Sequence, residues 1–350
     1  MSWVEVLIDG SIRVVAVFAL LLTVVILLVW IERKVVADMQ NRVGPDRAGP
    51  WGILQTLADG LKLIFKESIT PRKAEFALYI AAPVLALLPA LMIFLVVPIG
   101  RPFTLGDRVI ELHGMDLNIG LLYIQALSSL AVYAVTLAGW SSGSKYPLLG
   151  AVRASAQMIS YEAAMGLALV PVVMYTGTMS LKGIVAAQEG SVFGFLGPWN
   201  IILFPSFLVF FIAGVAETNR APFDLVEAEQ EIVGGYHTEY SGFRFALFFL
   251  AEYINIFNIS AITVTLFLGG WGGPDFGLPA SVAWILPIFW FMLKTLALIF
   301  VFVWIRAALP RMRYDQLMSF GWKRLIPLTL VWIALSMVAL GVRRFGLPWS

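Results

Sequence analysis

The sequence predicts an all-α membrane protein. It should have eight transmembrane helices, one amphipathic helix lying in the membrane interface, and both termini outside. Three observations carry this reading. Of 350 residues, 60% are apolar and 13% charged, against about 45–50% and about 25% in soluble domains. The apolar residues gather in runs long enough to cross a bilayer core, which takes about 20 residues. The positive charges sort into alternate loops, as the positive-inside rule requires. A single integral membrane domain, residues 1–350, is expected to hold all of this.

The runs lie at about 12–30, 76–97, 120–140, 157–176, 199–217, 244–268, 281–304 and 325–342. Pro83, Pro89, Pro171 and Pro287 fall inside them, which membrane helices tolerate. Met1 to Ser11 lacks the basic start and small-residue cleavage site of a signal peptide, so the first run is expected to stay as an anchor. The first, third, fifth and seventh loops with their flanks carry 17 of the 24 Lys and Arg residues. Those loops are therefore expected on the cytoplasmic side.

The first loop, about 31–75, opens with Glu32, Arg33 and Lys34. The Gly and Pro spacing from Gly44 to Pro50, around Arg42 and Arg47, prevents regular helix. Residues 53–66 then put Ile53, Leu54, Leu57, Leu61, Ile64 and Phe65 on one face and Gln55, Asp59, Lys62 and Lys66 on the other. Too short and too charged to span, this helix should lie in the interface plane. It is either a packing helix or the rim of an opening for an amphiphilic ligand.

Charges inside the spans come next. Glu162, Glu217, Glu252 and Lys294 lie within apolar runs, where each costs roughly 2.5–3.5 kcal/mol to insert at a central position. They suggest a polar pathway through the bundle, or a structural pair such as Lys294 with Glu252. Tyr161 and Tyr253, beside the glutamates, could relay protons or cap the carboxylates. The acidic stretch from Glu217, about 217–243, holds Glu217, Asp224, Glu227, Glu229, Glu231 and Glu239 against one base, Arg220. Such a cluster repels itself unless its members bind protons, meet cations or face water. Acids hardly affect insertion, so topology does not call for them there. His237, at its edge, reads as a bystander.

The remaining features exclude chemistry. With no cysteine, the chain offers no thiolate for iron–sulfur clusters or zinc and no disulfide. His113 and His237 are its only imidazoles. The outer loops at about 98–119 and 177–198 are weakly patterned, and the Gly-Gly-Trp-Gly-Gly-Pro turn at 269–274 lacks the context of a phosphate cradle.

Four stretches together resemble one family. They are the Glu32 to Lys66 segment with its GPxRxGPxGxLQxLADGxK pattern, Ala156 to Glu162 (AQMISYE), Glu217 to Glu231 (ETNRAPFD running into EAEQE), and Pro310 to Leu317. Over essentially its whole length the chain resembles the NuoH family, a membrane component of the bacterial proton-pumping NADH:quinone oxidoreductase, respiratory complex I. The resemblance implies a component that forms the entrance of a quinone chamber and couples quinone reduction to proton translocation. By that likeness Glu32, Arg33, Arg42, Arg47, Asp59 and Lys62 match positions at the quinone site. Glu162, Glu217 and Glu252 match intramembrane glutamates that lead charge or protons from the chamber. Arg220, Asp224, Glu227, Glu229 and Glu231 match a charged inner loop thought to move in turnover.

The family implies a quinone, ubiquinone or menaquinone, as substrate, and no cofactor bound covalently by this chain. Flavin and iron–sulfur clusters would sit on partner subunits. The implied partners are peripheral quinone-site subunits, antiporter-like membrane subunits and the lipid of a bacterial cell membrane, with no nucleic acid. Besides a purely structural anchor, which would not need six acids beside a buried row of glutamates, two alternatives stay open. One is the membrane component of a related energy-converting hydrogenase or of a complex using another donor, against which the Glu32 to Lys66 segment argues. The other is a stand-alone cation or proton transporter, which would call for interrupted helices in an internal repeat.

Overall fold

The computed structural model describes residues 3–105, 108–189, 203–224, 233–274 and 283–345. Helix α1 (Trp3–Met39) leads through a Gly/Pro-rich loop into α2 (Gln55–Phe65) and α3 (Phe76–Phe94). Then come α4 (Gly120–Ser141), α5 (Lys145–Thr176), α6 (Leu181–Ala187) and α7 (Phe204–Glu217). The last are α8 (Gly242–Phe267), α9 (Ile285–Ala308), α10 (Tyr314–Phe320) and α11 (Ile326–Phe345), with a π-helical turn at Gly321–Leu325 making α10 and α11 one continuous run.

Among the described residues, seven helical runs are long and apolar enough to cross a membrane. Helix α7, at 14 residues, falls short of that length, and the first residues expected for that run lie outside the described ones. Strands β1 (Phe103–Leu105) and β2 (Arg108–Ile110) form a small antiparallel ribbon, Phe103 opposite Ile110. This departs from a purely helical reading only inside one loop. Three residues per strand are too few to show alternation in a sequence.

Two helices run well past their apolar cores. Helix α1 continues to Met39, with no Gly or Pro between Gly10 and Gly44 to interrupt it. It thereby carries Glu32, Arg33 and Lys34 on a rigid rod rather than in a loop. Helix α5 starts at Lys145 and stops where Gly177 takes a left-handed conformation, φ 70°, the usual glycine C-cap.

At the centre lies α8. Every residue from Ile256 to Phe267 is buried, so this helix is enclosed on all sides rather than along one stripe. Its buried hydroxyls are satisfied within the helix: Ser260, Thr263 and Thr265 each donate to the carbonyl four residues back, the local solution for polar groups in an apolar medium. Asn258 reaches across to α3 and donates to the Ala90 carbonyl at 2.7 Å. Close approach of α4 and α5 depends on Gly139, where a Cβ would stand 2.2 Å from the Ala151 Cβ. Small residues at such crossings let membrane helices pack where no hydrophobic drive exists.

The segments after α3 and around α6 clasp one another. Lys182 donates to Glu111 at 2.9 Å, His113 lies 3.2 Å from the same carboxylate, and Ser180 donates to Asp116. The hydrogen bond from Lys182 holds the Glu111 carboxyl below its ordinary value, and burial holds the His113 imidazole below its own.

Candidate functional site

The first part of the site is an apolar cavity of about 540 Å³ between α1, α2 and α8. Val25, Val29, Leu57 and Leu250 are among its apolar walls, and Arg33, Thr56, Asp59 and Lys62 supply its polar groups. Arg33 donates to Asp59 at 2.6 Å and Gln55 does so at 3.1 Å, while Lys62 lies 4.0 Å away. Burial pushes the Asp59 carboxyl up, but the hydrogen bonds and charge of Arg33, with help from Gln55 and Lys62, outweigh it and leave the group below its ordinary value.

The loop ahead of α2 explains its own glycines. Gly52 sits at φ 77°, and a Cβ there would meet the Pro45 carbonyl oxygen at 2.2 Å. Trp30 of α1 donates to the Trp51 carbonyl at 2.9 Å, tying the loop to the rod. Arg42 and Arg47 stay on the exposed loop, with Arg42 donating to Gln40, and do not line the cavity.

Behind the cavity lies a buried charge network. Glu32 accepts from Tyr253 at 2.5 Å and from Arg306. Arg220 pairs with Glu252 at 2.6 Å. Its guanidinium also lies over the Tyr253 ring, 4.6 Å from the centroid. Tyr253 in turn packs on Phe249, which lines the cavity. Charges this enclosed persist only when paired and hydrogen-bonded. Arg220 thus finds a carboxylate partner on α8.

The third part is the pair of glutamates deeper in the bundle. Glu217 accepts from Ser128 of α4, and Glu162 accepts from Ser129 and, at 3.0 Å, from Gln125. One cavity joins Glu217 to Asn219, His237, Glu252 and Asn255. A second continues from Glu217 past Ser128 to Asn258. Glu252 therefore belongs both to the charge network and to the space around Glu217.

Other motif residues act as fasteners. Gln157 is fully buried and donates to the Ala216 carbonyl at 2.7 Å and to the Phe223 carbonyl at 2.8 Å. It fixes the segment that carries Asn219, with φ 51°, and Arg220. The Met312 N–H donates to the Pro222 carbonyl, and Tyr161 donates to the Leu317 carbonyl. The Pro310 to Leu317 stretch is thus pinned to both AQMISYE and ETNRAPFD.

Lys294 stands apart from the glutamates. It donates to the carbonyls of Leu268, Gly270 and Gly272, about 24 Å along α8 from Glu252 at a 1.5 Å rise per residue. The pairing of Lys294 with Glu252 is therefore not formed. Asp224 lies at the partly buried end of the fixed segment, while Glu227, Glu229 and Glu231 lie outside the described residues. Among the described residues, no three His, Asp or Glu side chains could hold a metal ion.

Sequence reading missed several members of the site. Arg306 passes as one more positive-inside charge until the fold brings it to Glu32. Gln125, Ser128 and Ser129 carried a usable signal, since positions i, i+3 and i+4 put one polar stripe on an otherwise apolar span.

Comparison with known proteins gives the family. The family model described as NADH dehydrogenase matches residues 12–337. The H subunit of NADH-quinone oxidoreductase from Frankia casuarinae is 53% identical over 322 residues, spanning 92% of this chain and 70% of that protein. Its counterpart of the same name from Frankia alni is 52% identical over 320 residues, spanning 91% and 70%. With an enclosed helical bundle, intramembrane carboxylates and this likeness along nearly its whole length, the chain belongs to the NADH dehydrogenase family that contains the H subunits of NADH-quinone oxidoreductases.

Proposed function

We propose that this chain forms the membrane entrance of the quinone chamber and couples quinone reduction to proton translocation through its buried carboxylates. The observation that carries the reading is the double membership of Glu252. It is bonded to Arg220 on the side of the Glu32–Tyr253 network, and it lines the cavity that reaches Glu217. A charge change at Arg220 or Glu32 therefore acts on the Glu217 environment at short range, in a medium that screens little. The cavity of about 540 Å³ suits the entrance, because ligand sites are mostly apolar with a few placed polar groups.

On this reading eight spans cross the membrane with both termini outside, α7 belonging to the short one, and α2 lies in the interface. The quinone is substrate. Flavin and iron–sulfur clusters belong to partner subunits, peripheral ones at the quinone head group and antiporter-like ones in the membrane, within a bacterial cell membrane. This chain's own residues admit the quinone, hold Arg220 and Glu32 in the network behind the cavity wall, and keep the carboxylates in reach of one another.

Glu217→Gln tests it. NADH oxidation with a quinone acceptor should fall while the rate with a water-soluble acceptor, which takes electrons upstream of the quinone step, persists. Intact quinone-linked turnover and intact pumping in that variant would remove the reading.

A further inference from the structure

The two cavities that meet at Glu217 measure about 50 Å³ and about 30 Å³. One water needs roughly 10–15 Å³, so each has room for water. Glu217 Oε2, Asn219 Oδ1 and Asn258 Oδ1 are buried acceptors that meet no donor among the described residues, and all three side chains line these spaces. Buried acceptors require donors, and water is a donor these spaces can admit. Set in mainly apolar walls, these acceptors mark a line that a short water chain can follow.

His237 stands at one end of that chain. It lines the larger cavity with Glu217 and Glu252 and is itself only partly buried. Its position is fixed by the fold. The Gly235–His237 3₁₀ turn is pressed onto α5, where a Cβ on Gly150 would stand 2.6 Å from the Gly235 Cα. Thr238 closes the turn by donating to the Gly235 carbonyl at 2.7 Å and accepting from the Gly234 N–H at 3.1 Å. The imidazole packs on Tyr236 and Phe245. Imidazole is the side chain whose ordinary pKa lets it give and take a proton near neutrality. Among the described residues, the titratable groups that share the cavity with it are Glu217, Glu252 and Tyr236.

We propose that His237 is where the buried carboxylates exchange protons with cytoplasmic water, by a route that does not pass through the quinone chamber. This rests on the reading that Glu217 takes part in coupling and that the loop faces the cytoplasm. In the loading step an imidazolium N–H bond breaks, the proton passes along the cavity water, and an O–H bond forms on the Glu217 carboxylate. The neutral imidazole then takes a proton from a hydronium ion or buffer acid on the cytoplasmic side.

The test uses membrane vesicles carrying the complete enzyme, with rates normalised to the soluble-acceptor rate of the same vesicles. His237→Gln and His237→Gly should each lower quinone-linked turnover and proton uptake about 10-fold, since cavity water replaces part of what a positioned acid–base group contributes. Added imidazole should restore at least half of the loss in His237→Gly and none in His237→Gln. Wild-type rates in His237→Gln, or a loss in assembled His237→Gly that imidazole leaves in place, overturn the proposal. Should His237→Gly fail to assemble, His237→Gln decides: an assembled enzyme with the 10-fold loss supports the inlet, and wild-type rates overturn it. Glu217→Gln is run alongside. Loss there with wild-type rates in His237→Gln removes only the inlet, whereas full activity and pumping in Glu217→Gln removes the coupling reading itself.

Discussion

Gln157→Met should loosen the segment that carries Arg220 without unfolding the bundle. Methionine matches glutamine in length and shape but donates nothing. The two carbonyls that Gln157 holds are affected unequally. Ala216 keeps a bond from the Asn219 N–H at 3.2 Å, so losing the 2.7 Å bond there costs about 1 kcal/mol. Phe223 loses the 2.8 Å bond, and a buried carbonyl left unpaired costs about 1–3 kcal/mol. The sum is about 2–4 kcal/mol, or about a 30- to 900-fold rise in local opening of residues 218–224 if the effect stays local. Hydrogen–deuterium exchange on the complete enzyme in detergent reads this directly. The peptide covering 218–224 should exchange faster by about that factor while peptides from α8 stay protected. Quinone-linked turnover should fall with it, because Arg220 loses its fixed approach to Glu252. Wild-type exchange of that peptide would refute the argument that Gln157 holds the segment.

Two further substitutions separate entrance, coupling and scaffold. Asp59→Asn should raise the KM for a short-chain quinone by up to about 5-fold with little change in kcat, the range of a partly exposed ion pair. Because the Asp59 carboxyl sits below its ordinary value, the pair's contribution is fully present above about pH 4 and is lost only as pH falls through the lowered value. The KM ratio of variant to wild type should therefore be flat between pH 6 and pH 8 (about two units clear of that transition), and a slope across that window would contradict the assignment. Lys294→Met should lower the thermal midpoint of quinone-linked activity, since three carbonyls lose a charged donor, each such bond contributing about 1.5–3 kcal/mol at most. Protons moved per quinone reduced should stay at the wild-type value, and a changed ratio would place Lys294 in the pathway after all.

The sequence by itself determined the helical membrane class, the family and the existence of the amphipathic helix α2. These follow from local physics: apolar run length, alternation of positive charge, and an apolar face recurring at helical spacing in α2. The carboxylates Glu162, Glu217 and Glu252 were also legible, because a charge in an apolar run is costly wherever the run ends up. Partnership was not legible. Glu32 and Arg306 are 274 residues apart in the chain, and Tyr253 reaches Glu32 across 221, so no local pattern encodes those bonds. Lys294 shows the same limit: its insertion cost is plain in the sequence, yet only the turn folded back over α9 supplies carbonyls where a glutamate had been expected. His237 changed standing for the same reason. Its neighbours in the chain make it one residue of an acidic loop, and only the packing of Gly235 against Gly150 brings its imidazole to the cavity that ends at Glu217.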